Sequence, residues 1–214
     1  MSSRLSLTNR FIKRSFDFMV AFVGLIATSW IILIAFVIAC IDTRSNGFFT
    51  QLRVGKDGKL FRVIKIKSMR KIEGVDTNVT QSSDVRITKS GAFFRKTKID
   101  ELPQLINVVL GQMSFVGPRP DVPGFADELE GEERAILNLR PGITGPATLV
   151  FRNEEELLEQ QDNPEAYNRD VIFPKKVEIN LKYLENYSFI KDLKYIIATV
   201  IPSLYPNIKE EILN

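Results

Sequence analysis

Two adjacent carboxylates, Asp100 and Glu101, open the run Lys98-Ile99-Asp100-Glu101-Leu102-Pro103-Gln104-Leu105, with Arg95, Lys96 and Lys98 just upstream. A carboxylate held among cations can attack phosphorus as aspartyl-phosphate enzymes do, and its neighbour can hold Mg2+ across phosphate oxygens. The pair also fits a plainer part, an N-capping Asp followed by a first-turn Glu that favours the helix dipole. Gly117-Pro118-Arg119-Pro120 sets one arginine between two prolines. That is either a rigid turn with a solvated side chain or a guanidinium pre-aimed at a phosphate, which it can grip with two hydrogen bonds. Lys65-Ile66-Lys67-Ser68-Met69-Arg70 reads as a half-buried edge strand, or as a strand that turns a lysine into a phosphate site.

Composition narrows the chemistry. The 214 residues include no histidine and one cysteine, Cys40. Ser-His-Asp and Cys-His mechanisms, an intrachain disulfide and most zinc chemistry are therefore excluded. Catalysis would rest on carboxylates, Lys, Arg, hydroxyls and a hard metal ion. The net charge of +3 hides an asymmetry: residues 44–100 hold 14 Lys or Arg against 5 Asp or Glu, and residues 121–170 hold 4 against 13. A basic block beside an acidic one either cancels or makes a surface for anions.

These residues need elements to hold them. Phe18 to Ile41 is 24 residues without a charge, long enough as a helix to cross a bilayer core of about 30 Å. Arg4, Arg10, Lys13 and Arg14 precede it and the basic block follows it. The positive-inside rule thus asks for cytoplasm on both sides, which a re-entrant helix over about residues 12–41 satisfies; a straight crossing is the alternative. No proline is available to bend it, so Gly24 and the Thr28-Ser29 pair are the expected pivot. Residues 48–54 and 59–67 read as a hairpin turning at Gly55-Lys56-Asp57-Gly58. Residues 72–90 read as a loop. Residues 101–110 read as a helix capped by Asp100 and closed by Gly111. Two stiff loops, 117–120 and 140–146, two acidic helices, 124–139 and 153–161, and helices over 174–187 and 189–201 follow. In the last, Phe189, Leu193, Ile196, Ile197 and Val200 share one face opposite Lys191, Asp192 and Lys194, an amphipathic helix suited to a membrane surface or to the core.

FFTQLRVGKDGKLFRVIKIKSMR, RKTKIDELPQLINVVLGQMSFVGPRP and LRPGITG, in this order and spacing, resemble the bacterial sugar transferase family of monotopic polyprenyl-phosphate phosphoglycosyl transferases, over about Arg10 to Thr199. The resemblance implies a mostly helical α+β fold: an N-terminal membrane-inserted re-entrant helix, a small β-hairpin and amphipathic interfacial helices. It implies an anchoring segment, 1–43, and a cytoplasmic catalytic domain, 44–214, in the small form of the family without a further transmembrane bundle. The implied reaction moves a phospho-sugar from a UDP-sugar to undecaprenyl phosphate at the cytoplasmic face of the bacterial inner membrane, releasing UMP. Asp100 would be the nucleophile of a covalent phospho-sugar intermediate and Glu101 the Mg2+ ligand. Lys65, Arg95 and Arg119 would contact phosphate and nucleotide.

Membrane lipid is an implied partner, nucleic acid is not, and a homodimer is compatible. Two features depart from the family pattern. Trp30 follows Ser29 where the family's helix carries Ser-Pro, and an acidic stretch, Glu154-Glu155-Glu156, follows Pro146-Ala147-Thr148-Leu149 in a region expected to bear on sugar choice. Two other classes fit the same residues in part, a membrane-anchored anion-binding module and a phosphohydrolase using the same carboxylate. A binding module has no reason to place two carboxylates inside its basic block.

Overall fold

A computed structural model describes residues 5–71 and 84–213. Arg4 of the basic flank and most of the expected 72–90 loop lie outside the described residues.

Helix α1, Leu7–Thr43, is one α-helix of 37 residues. The Ser6 hydroxyl caps it by accepting from Asn9 N, and Arg44 ends it in the left-handed region at φ 50°. It outruns the expected 12–41 at both ends, since the straight-chain basic residues before the apolar run are themselves good helix formers. No residue inside it has a positive φ. Thr28 Oγ1 donates to Gly24 O at 2.7 Å and Ser29 Oγ to Ile26 O at 2.8 Å, but the helix runs unbroken through these residues, and the bend expected there is not seen. Lys13, Asp17, Ala21, Ile32, Ala35 and Ala39 are buried on one side, while Phe11, Phe18, Val23, Trp30, Ile34 and Ile41 are exposed. The helix is long and apolar enough to cross a membrane.

The side of α1 that is buried lies along the rest of the chain. Strands β1 (Phe48–Val54) and β2 (Leu60–Ile66) pair antiparallel as read, with Phe48 opposite Ile66 and Val54 opposite Leu60. Phe61 and Val63 of β2 pack with Ala21, Leu105 and Val108. Helix α2, Lys89–Thr97, starts two residues inside the expected loop, because the Thr88 hydroxyl caps it by accepting from Gly91 N at 2.9 Å. A Cβ on Gly91 would stand 2.0 Å from Ser68 O, so only glycine lets α2 approach the end of the hairpin this closely.

Helix α3, Gln104–Val109, is closed by Gly111 at φ 77° as expected. Strands β3 (Ser114–Val116) and β4 (Gly142–Thr144) form a parallel pair, with Ser114 opposite Gly142 and Val116 opposite Thr144. The pairing brings the two stiff loops together. Gly117 N donates to Thr144 O at 2.9 Å and Gly142 N to Pro118 O at 2.8 Å. A Cβ on Gly117 would lie 2.2 Å from Arg140 O.

The expected acidic helix over 124–139 is instead two 3-10 segments, Ala126–Glu128 and Glu133–Asn138. Gly124 (φ 96°) and Gly131 (φ 54°) adopt left-handed backbone there, which an α-helix cannot absorb. After β4 come α4 (Pro146–Val150), α5 (Glu154–Glu159), α6 (Pro164–Tyr167), α7 (Phe173–Glu185), α8 (Phe189–Val200) and α9 (Tyr205–Leu213). Val116, Leu139, Leu149, Tyr183, Leu184, Tyr195 and Ala198 make the core shared by β3, α4, α7 and α8.

Helix α8 buries Asp192, from the face read as polar, with Tyr195 and Ala198, while Ile197 and Val200 of the apolar face are exposed, as a face suited to a membrane surface would be. Asp192 goes inward because it meets Lys13 at 2.6 Å and receives the Tyr183 hydroxyl at 2.5 Å. Those partners, distant in sequence, offset the cost of burying the carboxylate.

Candidate active site

The carboxylate pair is set by a short stiff path. Helix α2 ends on Lys98 in the left-handed region at φ 59°, and the chain then makes one 3-10 turn, Ile99–Glu101, before Pro103 starts α3. Asp100 is therefore not the helix cap expected of it. Its Oδ1 is buried with no hydrogen-bond partner, and α3 has no side-chain cap. A capping aspartate would have had its oxygen satisfied by backbone N–H groups. This one is an unspent acceptor in a buried setting.

Lys65, at the inner end of β2, donates its ammonium to Glu101 Oε1 at 2.9 Å. The two carboxyls are driven apart. Burial, helped by the charge of Glu101, pushes Asp100 up to about 6 against the pull of Lys65, Lys98 and Arg95. Burial would also raise Glu101, but Lys65, Arg119 and Lys98 together outweigh it and hold that carboxyl at about 2. Around neutral pH both are ionised. Asp100 is then more basic than an ordinary carboxylate, and Glu101 is a fixed negative charge.

Arg119 is carried by the loop that follows β3. Its side chain is exposed, and among the described residues no hydrogen bond or ion pair engages it. The carboxylates of Glu101, Glu154, Asp121 and Glu155 nonetheless all act on its charge. It is thus an uncommitted guanidinium within reach of the charge of Glu101. Arg95 belongs to the same surroundings, since its charge acts on Asp100, but its Nη2 donates to Glu155 Oε1 at 2.6 Å. All five residues singled out from the sequence, Asp100, Glu101, Lys65, Arg95 and Arg119, meet in one electrostatic neighbourhood.

Other members of that neighbourhood were not singled out. Arg53 donates Nη1 to Pro120 O at 3.1 Å and Nη2 to Gln51 Oε1 at 2.6 Å, while its Nε is buried without a partner. Burial and the repulsion of Arg119 bring it down to about 10. Asp121, next to the proline-framed arginine, is pushed up to about 6 by burial despite Lys176, Arg53 and Arg119. Lys176 of α7 pairs with Glu154 at 2.7 Å. Adjacency to Gly117-Pro118-Arg119-Pro120 was a signal for Asp121. Lys176 carried none, because α7 is brought to the site only by tertiary packing.

A divalent ion fits this donor set in one way. Among the described residues no group of three His, Cys, Asp or Glu side chains could enclose a metal. The protein offers Glu101 and the unpartnered oxygen of Asp100. Mg2+ accepts one or two carboxylates when substrate phosphate oxygens and water complete its shell, so the residues suit an ion that arrives with a phosphorylated ligand.

Fold and site together define a compact catalytic-type domain carried on one long apolar helix, with a carboxylate dyad inside a ring of cations. The family model described as bacterial sugar transferase matches residues 8–205, and the chain belongs to that family. It is 36% identical over 206 residues to the UDP-glucose:undecaprenyl-phosphate glucose-1-phosphate transferase of Klebsiella pneumoniae, covering 92% of this chain and 41% of that protein. It is 35% identical to the uncharacterized sugar transferase EpsL of Bacillus subtilis, covering 88% of this chain and 85% of EpsL. It is 32% identical to the UDP-N-acetylgalactosamine-undecaprenyl-phosphate N-acetylgalactosaminephosphotransferase of Aeromonas hydrophila, covering 89% of this chain and 43% of that protein. The chain thus spans less than half the length of two of these three relatives.

Proposed function

We propose that this chain transfers a sugar 1-phosphate from a UDP-sugar to undecaprenyl phosphate, with Asp100 as the nucleophile. The observation that carries the reading is the Asp100 carboxylate itself: buried, unpartnered at Oδ1, more basic than usual, and set among the charges of Lys65, Lys98 and Arg95. An Asp100 oxygen attacks the sugar-bearing phosphorus, and the bond from that phosphorus to the bridging oxygen breaks. UMP leaves with the electron pair, and an aspartyl phospho-sugar remains. An oxygen of the lipid phosphate then attacks the same phosphorus and releases the Asp100 carboxylate, giving a polyprenyl diphospho-sugar. No proton transfer at histidine is needed.

Arg119 and Arg95 balance the phosphate charge that builds during each displacement, and Lys65 keeps Glu101 ionised and aimed. Bound through Glu101, Mg2+ would neutralise phosphate oxygens and orient them for in-line attack. The relatives named for this reaction differ in their sugar, glucose in one and N-acetylgalactosamine in another.

The same reading places the protein at the cytoplasmic face of the inner membrane, where nucleotide sugars are. Both ends of α1 are fastened to the one domain. Lys13 pairs with Asp192 at its start, and at its end Asp42 accepts from the Ser90 hydroxyl and, through its carbonyl, from Arg70 Nε at 2.8 Å. A helix so tied keeps both ends on the side of that domain, and its exposed apolar residues, Phe11 and Ile41 among them, are the ones offered to lipid.

The test is UMP release from a panel of UDP-sugars, with and without undecaprenyl phosphate, in the presence of Mg2+. Lipid-linked sugar diphosphate is the expected product. Release of free sugar phosphate in place of lipid-linked product would make the protein a phosphohydrolase. UMP release from none of them would overturn the reading.

A further inference from the structure

Helix α5, Glu154–Glu159, is a small acidic helix that buries one residue, Leu158. Two ion pairs fasten its first turn to the site. Glu154 and Lys176 are well shielded, with 23% and 12% of their side chains exposed. The Glu155 side chain, by contrast, is 49% exposed where it takes the Arg95 guanidinium at 2.6 Å. One pair is an anchor and the other is open to exchange.

The position of Arg95 makes that exchange consequential. It sits in the last turn of α2, five residues before Asp100, and the left-handed Lys98 and the 3-10 turn leave little slack between them. Its charge acts on Asp100, so it belongs where phosphate must sit if Asp100 is to reach phosphorus. In this structure Glu101 takes Lys65 and Glu155 takes Arg95. A guanidinium grips phosphate oxygens in the same fork geometry as carboxylate oxygens. Glu155 thus competes with phosphate for Arg95, and its charge acts on Arg119 as well.

We propose that Glu155 is an exchangeable stand-in for the donor's diphosphate. It neutralises Arg95 while the site is empty, is displaced when the diphosphate arrives, and so sets donor affinity without taking part in bond making. The inference rests on the transferase reading above. The phosphate that displaces Glu155 could belong to the donor or to the acceptor lipid, and the donor is favoured because its phosphorus must meet Asp100 first.

The experiment compares full-length wild type, Glu155→Gln, Arg95→Ala and the double variant in detergent or nanodiscs, measuring dissociation constants for pyrophosphate, UMP and farnesyl phosphate by calorimetry. Removing an exposed competing ion pair should tighten pyrophosphate and UMP about two- to fivefold in Glu155→Gln. The gain should vanish when Arg95 is also Ala, and farnesyl phosphate should bind unchanged. With a UDP-sugar that turns over, the effect should appear in KM and not in kcat. Equal or weaker pyrophosphate binding in Glu155→Gln overturns the exchange, as does a gain that survives loss of Arg95. A gain confined to farnesyl phosphate overturns the donor assignment. Pyrophosphate binding needs no turnover, so these outcomes stay distinct from a failure of UMP release, which would strike at the transferase reading itself.

Discussion

Lys13 Nζ lies 2.6 Å from Asp192 Oδ2, and both side chains are buried, joining the start of the apolar helix to α8 across 179 residues of sequence. Tyr183 donates to the other oxygen at 2.5 Å and Tyr187 to Oδ2 at 3.2 Å, so the carboxylate is fully engaged. Arg14, one residue on, donates to Val108 O at 2.6 Å and Val109 O at 2.9 Å at the end of α3, the helix whose other end follows the dyad. The apolar helix is thus bonded to the same short helix that positions Asp100 and Glu101.

Breaking a buried pair from one side strands a charge. Asp192→Ala should cost about 3–5 kcal/mol, while replacing both partners, Lys13→Met with Asp192→Leu, should recover much of that. Thermal unfolding in matched detergent measures both. A single-variant loss below about 1 kcal/mol would mean the pair is solvated and is not a clasp.

Asp100→Asn should abolish transfer, since an amide is a very poor nucleophile, and should leave the protein more stable. The carboxyl titrates near 6 in the fold against an ordinary value of 3.8. The folded state therefore holds the extra proton between those values, and wild-type stability falls as pH rises through that window. Above pH 6 the Asn variant should gain on the order of 1–3 kcal/mol, and the gain should close by pH 4. Denaturant unfolding at pH 7.5 and pH 4 reads it directly. For the same reason wild-type kcat/KM should drop about tenfold per pH unit below 6. A flat profile from pH 5 to 8 would remove Asp100 as the ionising nucleophile.

Arg119→Lys should lower kcat/KM by about tenfold or more, on the order of 1.4 kcal/mol, because a compact ammonium cannot reproduce a two-pronged grip on phosphate. Unchanged steady-state constants would leave Arg119 as an exposed turn residue.

Single cysteines at Thr8 and Ser45, in a Cys40→Ser background, report the sidedness of α1. A membrane-impermeant maleimide should label neither in intact cells and both in inverted vesicles. Labelling at position 8 alone from outside would show a crossing helix and would require the Lys13–Asp192 pair to be broken in the membrane.

Much of this protein is legible without coordinates. The apolar run announces α1, alternation and two glycines announce the β1–β2 hairpin, and carboxylates embedded among cations mark the stretch proposed here for phosphate chemistry before any distance is known. These signals are local, carried by residues within one turn or one strand of each other. What tertiary structure alone decided is non-local. Gly124 and Gly131 adopt left-handed backbone, and 3-10 turns stand where an acidic helix was expected. Asp192 faces inward only because Lys13, far away in sequence, meets it. Asp100 looked like a cap by spacing and proved to be a buried acceptor with nothing to accept, since the 3-10 turn at Ile99–Glu101 aims it away from the first N–H groups of α3. Glu155 on Arg95 and Lys176 beside Asp121 arise where α5 and α7 come up against the arginines and Asp121. Charge interactions act through space, and chain order does not encode which distant charges will be neighbours.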